Sequence, residues 1–332
     1  MGKGDTSDVL WTRDGIEETE RRVREATAAA HPDAIRLFED VEQAYLVAFS
    51  QTVIKRTASY APNVFFAKSF QTFRSAVWLC MSGYYSQAGG LARFLLEEAL
   101  LIDYYRRHPS EALDFLIGPN WEQLQSLFRK LEEAVLEEGD DTTNRILDEL
   151  ECEIRYERAP MASEISRRLK KRLASKKLRR AKEVLDKIQM EFNKDRIPPI
   201  QQLVSSLGLS RAQQGPLRRR YEALCHFVHS RRDPTLRSVV DRPDKLTLVV
   251  GPKYDLRAFQ MVAETIVGAG HFALTTWTFC VPALFGDSSW LSTLKELGVR
   301  VLELELSMQE LGLIPNAHDL LDAYRPLMGP VE

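Results

Sequence analysis

Apolar positions recur at intervals of three and four along most of the chain, and strand-like alternation is scarce. The pattern predicts a charged helix over residues 16–30, ended by His31-Pro32, and a second helix over 33–59. Ile35, Phe38, Val41, Tyr45, Phe49 and Val53 share one face of that second helix. Pro62 opens a third helix through Phe65, Phe66, Phe70, Phe73, Val77 and Trp78, which Gly83 or Gly89-Gly90 breaks. Residues 91–108 form the sharpest amphipathic segment, closed by Pro109-Ser110. Leu91, Leu95, Glu98, Ile102 and Tyr105 lie on one line of it, so a carboxylate sits inside an apolar stripe.

Two charged stretches follow. Residues 121–158 predict an acidic helix pair, and residues 163–182 a long basic helix. Pro198-Pro199 separates them from a helix running from about Ser210 to Arg232. Residues 245–250 read as a short strand, half of a small hairpin, ahead of Gly251-Pro252. A long buried helix over 255–284, a helix over 291–311 and a last turn near 319–324 complete the expectation, which is mainly α.

Composition fits this picture. The chain has 332 residues, 44 % of them hydrophobic, which supports a sizeable core. Its 45 Lys and Arg against 47 Asp and Glu leave a net charge of −2, so an overall basic coat is excluded while a local basic site is not. Four cysteines, Cys80, Cys152, Cys225 and Cys280, form no Cys-x-x-Cys pair and read as inert thiols of a reducing, cytoplasmic compartment. The first residues fit an N-myristoylation pattern at Gly2 and hold no apolar leader. Residues 265–286 lack Asp, Glu, Lys and Arg, yet hold Gly268, Gly270, His271, Thr275, Thr276, Thr278 and Pro282. They are expected to be a buried helix, with a membrane span as the less favoured reading.

Charge segregates along the chain. Residues 121–158 carry 12 acidic and 5 basic side chains, and residues 163–182 carry 10 basic and one acidic. The two arms either neutralise each other or present a phosphate-facing helix. In the second case Arg167, Arg168, Lys170, Lys171, Arg172, Lys176, Lys177, Arg179 and Arg180 are the nucleic-acid-binding candidates. No aromatic residue lies within 162–190 to stack on a base.

The densest chemistry lies in residues 218–232. At 100° per residue, Tyr221, Leu224, Cys225 and Val228 form an apolar arc. Arg219 and His226 align two turns apart, with Glu222 and His229 between that line and the arc. These four residues and Glu98 are the catalytic candidates, Glu98 being expected to pair with an Arg or His of this helix. A cation held by His226 and His229, with Glu222 or Glu98, is the metal alternative; Glu-x-x-His and His-Glu-x-x-His are both missing, so neither metal nor cofactor is expected. Gly-x-Ser-x-Gly and Walker-type loops are missing too.

Ala92-Arg93-Phe94-Leu95-Leu96-Glu97-Glu98, then Tyr221 to His229, then the apolar residues 259–284, resemble the HEPN superfamily of helical bundles, particularly its uncharacterised bacterial members. The similarity covers 65–108 and 217–285. It implies a HEPN-like four-helix core over 62–108 and 211–286, an N-terminal helical extension over 1–61, a charged helical insert over 109–210 and a C-terminal helical cap over 287–332. It also implies metal-independent RNA cleavage, with His226 moving the proton and Arg219 stabilising the phosphorane, across a homodimer, in a bacterial defence setting. Arg220 also fits the family's Arg-to-His spacing, but helical geometry favours Arg219. The other expected function is a non-catalytic module binding a protein or nucleic-acid partner.

Overall fold

A computed structural model describes residues 13–51, 60–136, 140–175, 178–228, 239–242, 245–248, 252 and 255–310. The Gly2 pattern, Lys176, Lys177, His229 and the turn near 319–324 lie outside these residues. The protein is mainly helical. Contacts divide it into two compact units, one of Met1–Arg107 with Pro199–Glu332, the other of His108–Pro198.

In the first unit, α1 (Arg13–Ala30) and α2 (Pro32–Ser50) lead into α3 (Tyr60–Met81) and α4 (Tyr85–Arg107). The α3–α4 turn is set by Gly83, the candidate breaker that acts. Its φ of 84° lets Tyr84 N–H reach the Leu79 carbonyl at 2.9 Å and Gly83 N–H reach Cys80 at 3.2 Å. Gly89 and Gly90 lie inside α4. The two helices run antiparallel, Phe65 stacking on Tyr105 and Thr72 meeting Glu98 nearer the turn.

The chain returns to this unit through α10 (Ile200–Ser206) and α11 (Arg211–Val228). A hairpin follows, of antiparallel β1 (Val239–Arg242) and β2 (Lys245–Leu248), with Val239 opposite Leu248. The unit ends in α12 (Leu256–Thr278), α13 (Pro282–Phe285) and α14 (Ser288–Glu310). The expected insert boundary moves, because residues 199–210 belong here: Gln202 donates to Tyr104 Oη at 2.5 Å, tying α10 to α4.

Helix α12 packs against α2, α3, α4 and α14 and is buried along most of its length. It is shorter than the pattern suggested. Pro282 has no N–H to continue the ladder and disfavours helix before it, so the chain breaks after Thr278 and restarts at Pro282. Among the described residues no helix is long and apolar enough to cross a membrane. Phe66 stacks on Trp277 at 4.5 Å, and Tyr45 from α2 lies against Phe66 and Phe73. Thus α2, within the expected N-terminal helical extension, supplies Val41, Tyr45 and Ala48 to the core. Gly270 shows why α12 needs a missing side chain: a Cβ there would sit 2.9 Å from the Phe73 ring.

The second unit holds a short α5 (Pro109–Ile117) and a ring of four helices, α6 (Trp121–Val135), α7 (Asp141–Arg155), α8 (Ala159–Ser175) and α9 (Arg179–Phe192). Helix α6 packs on α7 and α9, and α8 on the same two. Its core joins Leu124, Leu131, Leu150, Leu169, Leu173 and Leu185. The single basic helix expected over 163–182 is therefore two helices. No Gly or Pro marks the break; closing the ring around a shared core decides it. All four cysteines are free thiols, Cys80 buried on α3 and Cys152 exposed on α7.

Candidate functional site

Helix α11 lies on α4, and of the arc expected from the sequence Leu224 is buried and Tyr221 and Cys225 are partly so, the Val228 side chain lying outside the described set. Leu217 is buried too. Arg219 and Glu222 stand exposed on the outer flank. The backbone of α11 places position 226 on the same line as Arg219, two turns on. The His226 side chain is outside the described set.

The contact between α11 and α4 is polar at its centre. Tyr221 donates from its hydroxyl to Glu97 Oε1 at 2.6 Å. Arg93 Nε and Nη2 each donate to that oxygen at 3.0 Å. The Arg93 guanidinium also lies 5.1 Å from the centre of the Tyr221 ring and 5.7 Å from that of Phe94. Burial pushes the Tyr221 phenol up, and the Glu97 carboxylate adds to this. The phenol is a neutral donor as a result. Arg93, Glu97 and Tyr221 were not among the expected site residues. Two signals point to them: Arg93 and Glu97 stand four apart on α4, and Tyr221 brings a hydroxyl into an apolar arc, where it needs a partner.

Glu98 does not join this group. It is 3 % exposed and turned toward α3, where Thr72 Oγ1 donates at 3.2 Å and Lys68 Nζ lies 3.4 Å away. The expected Arg or His partner on α11 is thus replaced by Lys68 and Thr72. The cause is angular, since successive helix positions point about 100° apart. Glu97 faces α11 and Glu98 faces α3. Burial raises the Glu98 carboxyl above its usual range, with Thr72 and Lys68 opposing. Its Oε2 is buried without a hydrogen-bond partner.

The basic candidates lie in the second unit and divide into two groups. Arg168 pairs with Glu149 at 2.9 Å and Arg172 with Asp140 at 2.6 Å, both across to the acidic arm. Lys170 pairs with Asp186, Arg167 with Glu164, and Arg179 with Glu183 at 3.0 Å. Among the described residues, Lys171 and Arg180 have no ion pair.

Other polar features lie elsewhere in the first unit. Asp103, buried on α4, binds Arg106 and Arg107 at 2.7 Å each. A cleft of about 640 Å³, lined by His31, Arg36, Phe259, Gln260, Arg300 and Glu303, contains no α11 residue. Among the described residues no three His, Cys, Asp or Glu side chains are grouped to hold a metal ion.

The profile of a family of unknown function (DUF5677) matches residues 60–245, more than half of the chain. The chain belongs to that family. The match begins at α3, runs through the four-helix unit and ends in the hairpin, so the charged unit lies within the family's own span. No curated protein matches the chain, and no solved structure does.

Proposed function

We propose that the protein is a metal-independent RNA-cleaving effector of HEPN type, acting from the outer flank of α11. The supporting observation is the exposure of Arg219 and Glu222 opposite the buried Leu217 and Leu224. A flank of functional residues facing water is open to a large, charged substrate. In this reading the RNA 2′-hydroxyl attacks the adjacent phosphorus and the 5′-oxygen leaves, giving a cyclic phosphate. His226 moves the proton, and Arg219 stabilises the charge on the phosphorane. Glu222 stands on the same helix beside that pair, and two copies facing each other through α11 would double the site. A bacterial defence role rests on analogy to the HEPN superfamily.

The test is cleavage of single-stranded RNA in EDTA by the wild type, His226→Ala and Arg219→Ala. The expected loss is about 10²–10⁴-fold in either variant. Cleavage by a folded His226→Ala protein at the wild-type rate overturns the reading.

The second reading is a non-catalytic module that binds a protein or nucleic-acid partner. Lys171 and Arg180, exposed and without ion pairs among the described residues, favour it. It predicts binding without cleavage.

A further inference from the structure

The four-helix ring of the second unit separates its charges by side. Helices α6 and α7 are adjacent and carry eight acidic against four basic residues. Helices α8 and α9 are adjacent on the other side and carry nine basic against four acidic residues. The seam between α7 and α8 neutralises part of this through Arg168–Glu149 and Arg172–Asp140. Charge remains on each side beyond the seam. On the basic side Lys171, Arg180, Lys182 and Lys187 are exposed and, among the described residues, without ion pairs. On the acidic side Glu132 on α6 has the Glu151 and Asp148 carboxylates of α7 near it, which add to burial in raising its pKa, with Arg129 opposing.

We infer that the second unit joins copies of this chain, the α6–α7 side of one against the α8–α9 side of the next. Charge complementarity favours a second copy over other occupants. The net charges of the two helix pairs, −4 and +5, nearly match. A polyanion would use the basic side alone and leave the acidic side without a role, whereas a second copy uses both. Because the two surfaces differ, the contact is head-to-tail, and each added copy exposes one new surface of each sign. Growth is therefore open-ended unless the geometry closes a ring. The inference is independent of RNA cleavage, since none of these residues lies on α11.

The experiment is sedimentation of the full chain over a range of concentrations, at about 50 mM and about 500 mM salt, where screening lengths differ several-fold. The average mass is expected to rise with concentration at low salt and to fall back to a fixed value at high salt. Lys171→Glu with Arg180→Glu lowers the α8–α9 side from +5 to about +1, and Glu132→Lys with Asp148→Lys brings the α6–α7 side from −4 to about 0, each leaving the other side unchanged. Each pair should abolish growth with the helical circular dichroism spectrum retained, and mixing the two proteins one to one should give a one-to-one complex that grows no further, since only the intact acidic side of the first meets the intact basic side of the second. Growth that ignores salt and charge reversal overturns the inference, as does a mixture that stays apart. Loss of binding to a single-stranded RNA oligonucleotide in Lys171→Glu/Arg180→Glu with growth unchanged also overturns it and assigns the basic side to nucleic acid.

Discussion

Tyr221 on α11 donates its 2.6 Å hydrogen bond to the same Glu97 oxygen that Arg93 binds from within α4. One carboxylate oxygen thereby fixes two helices in register and aims the outer flank of α11 away from the core. Tyr221→Phe keeps the ring against Arg93 and removes the bond. Urea unfolding should show a loss of about 1–2 kcal/mol. Glu97→Gln should cost a similar amount, and the double variant less than the two losses added, because both changes remove one interaction. Full additivity would show that the two groups do not act on each other.

Glu98 offers a test of opposite sign. Its folded-state pKa lies above the unfolded value of 4.5, so its contribution to stability is complete below pH 4.5 and is lost as pH rises through the folded pKa. Glu98→Gln avoids that loss and leaves Lys68, already 60 % exposed, in water. The variant should gain on the wild type in denaturant midpoint between pH 4.5 and neutrality. A gap that stays constant over that interval contradicts the burial argument.

His271 works at the acid end. It is buried on α12, its Nε2 lies 2.9 Å from the Leu294 carbonyl of α14, and burial lowers its pKa below the ordinary 6.5. The folded state therefore binds fewer protons than the unfolded chain. Stability is complete above pH 6.5 and falls as pH drops through the folded value. His271→Gln, which retains an N–H donor and does not titrate, should flatten the pH dependence of the melting temperature below pH 6.5. An unchanged slope would assign the acid sensitivity to other groups.

Two glycines one turn-half apart on α12 should respond oppositely to alanine. Gly270→Ala places a Cβ 2.9 Å from the Phe73 ring and 3.1 Å from Val41 Cγ1, both in the core. The cost should be about 1–3 kcal/mol in thermal or chemical unfolding. Gly268→Ala meets nothing closer than Val301 Cγ1 at 3.9 Å. It should be neutral or stabilise by up to about 1 kcal/mol through helix propensity. Equal effects would rule out close packing as the reason for Gly270.

The α11 flank was legible in the sequence because it depends only on helical angle. Once Leu217, Tyr221, Leu224 and Cys225 are known to face inward, Arg219 and Glu222 must face outward. The partner of Glu98 was not legible, because the sequence says that a buried carboxylate needs a partner and not which neighbouring helix supplies it. The sequence likewise held the Arg93–Glu97 spacing and the lone hydroxyl of Tyr221, but nothing local connected them across 124 positions.

The sequence by itself determined the helical class, the apolar faces and the separation of acidic from basic segments. Each follows from local periodicity, a backbone preference or simple charge. Tertiary structure alone decided that α2 joins the core, that α10 belongs with α4, that the basic segment breaks into α8 and α9, and that Arg168 and Arg172 meet Glu149 and Asp140. These outcomes depend on which apolar faces bury each other, and burial is a property of the assembled elements.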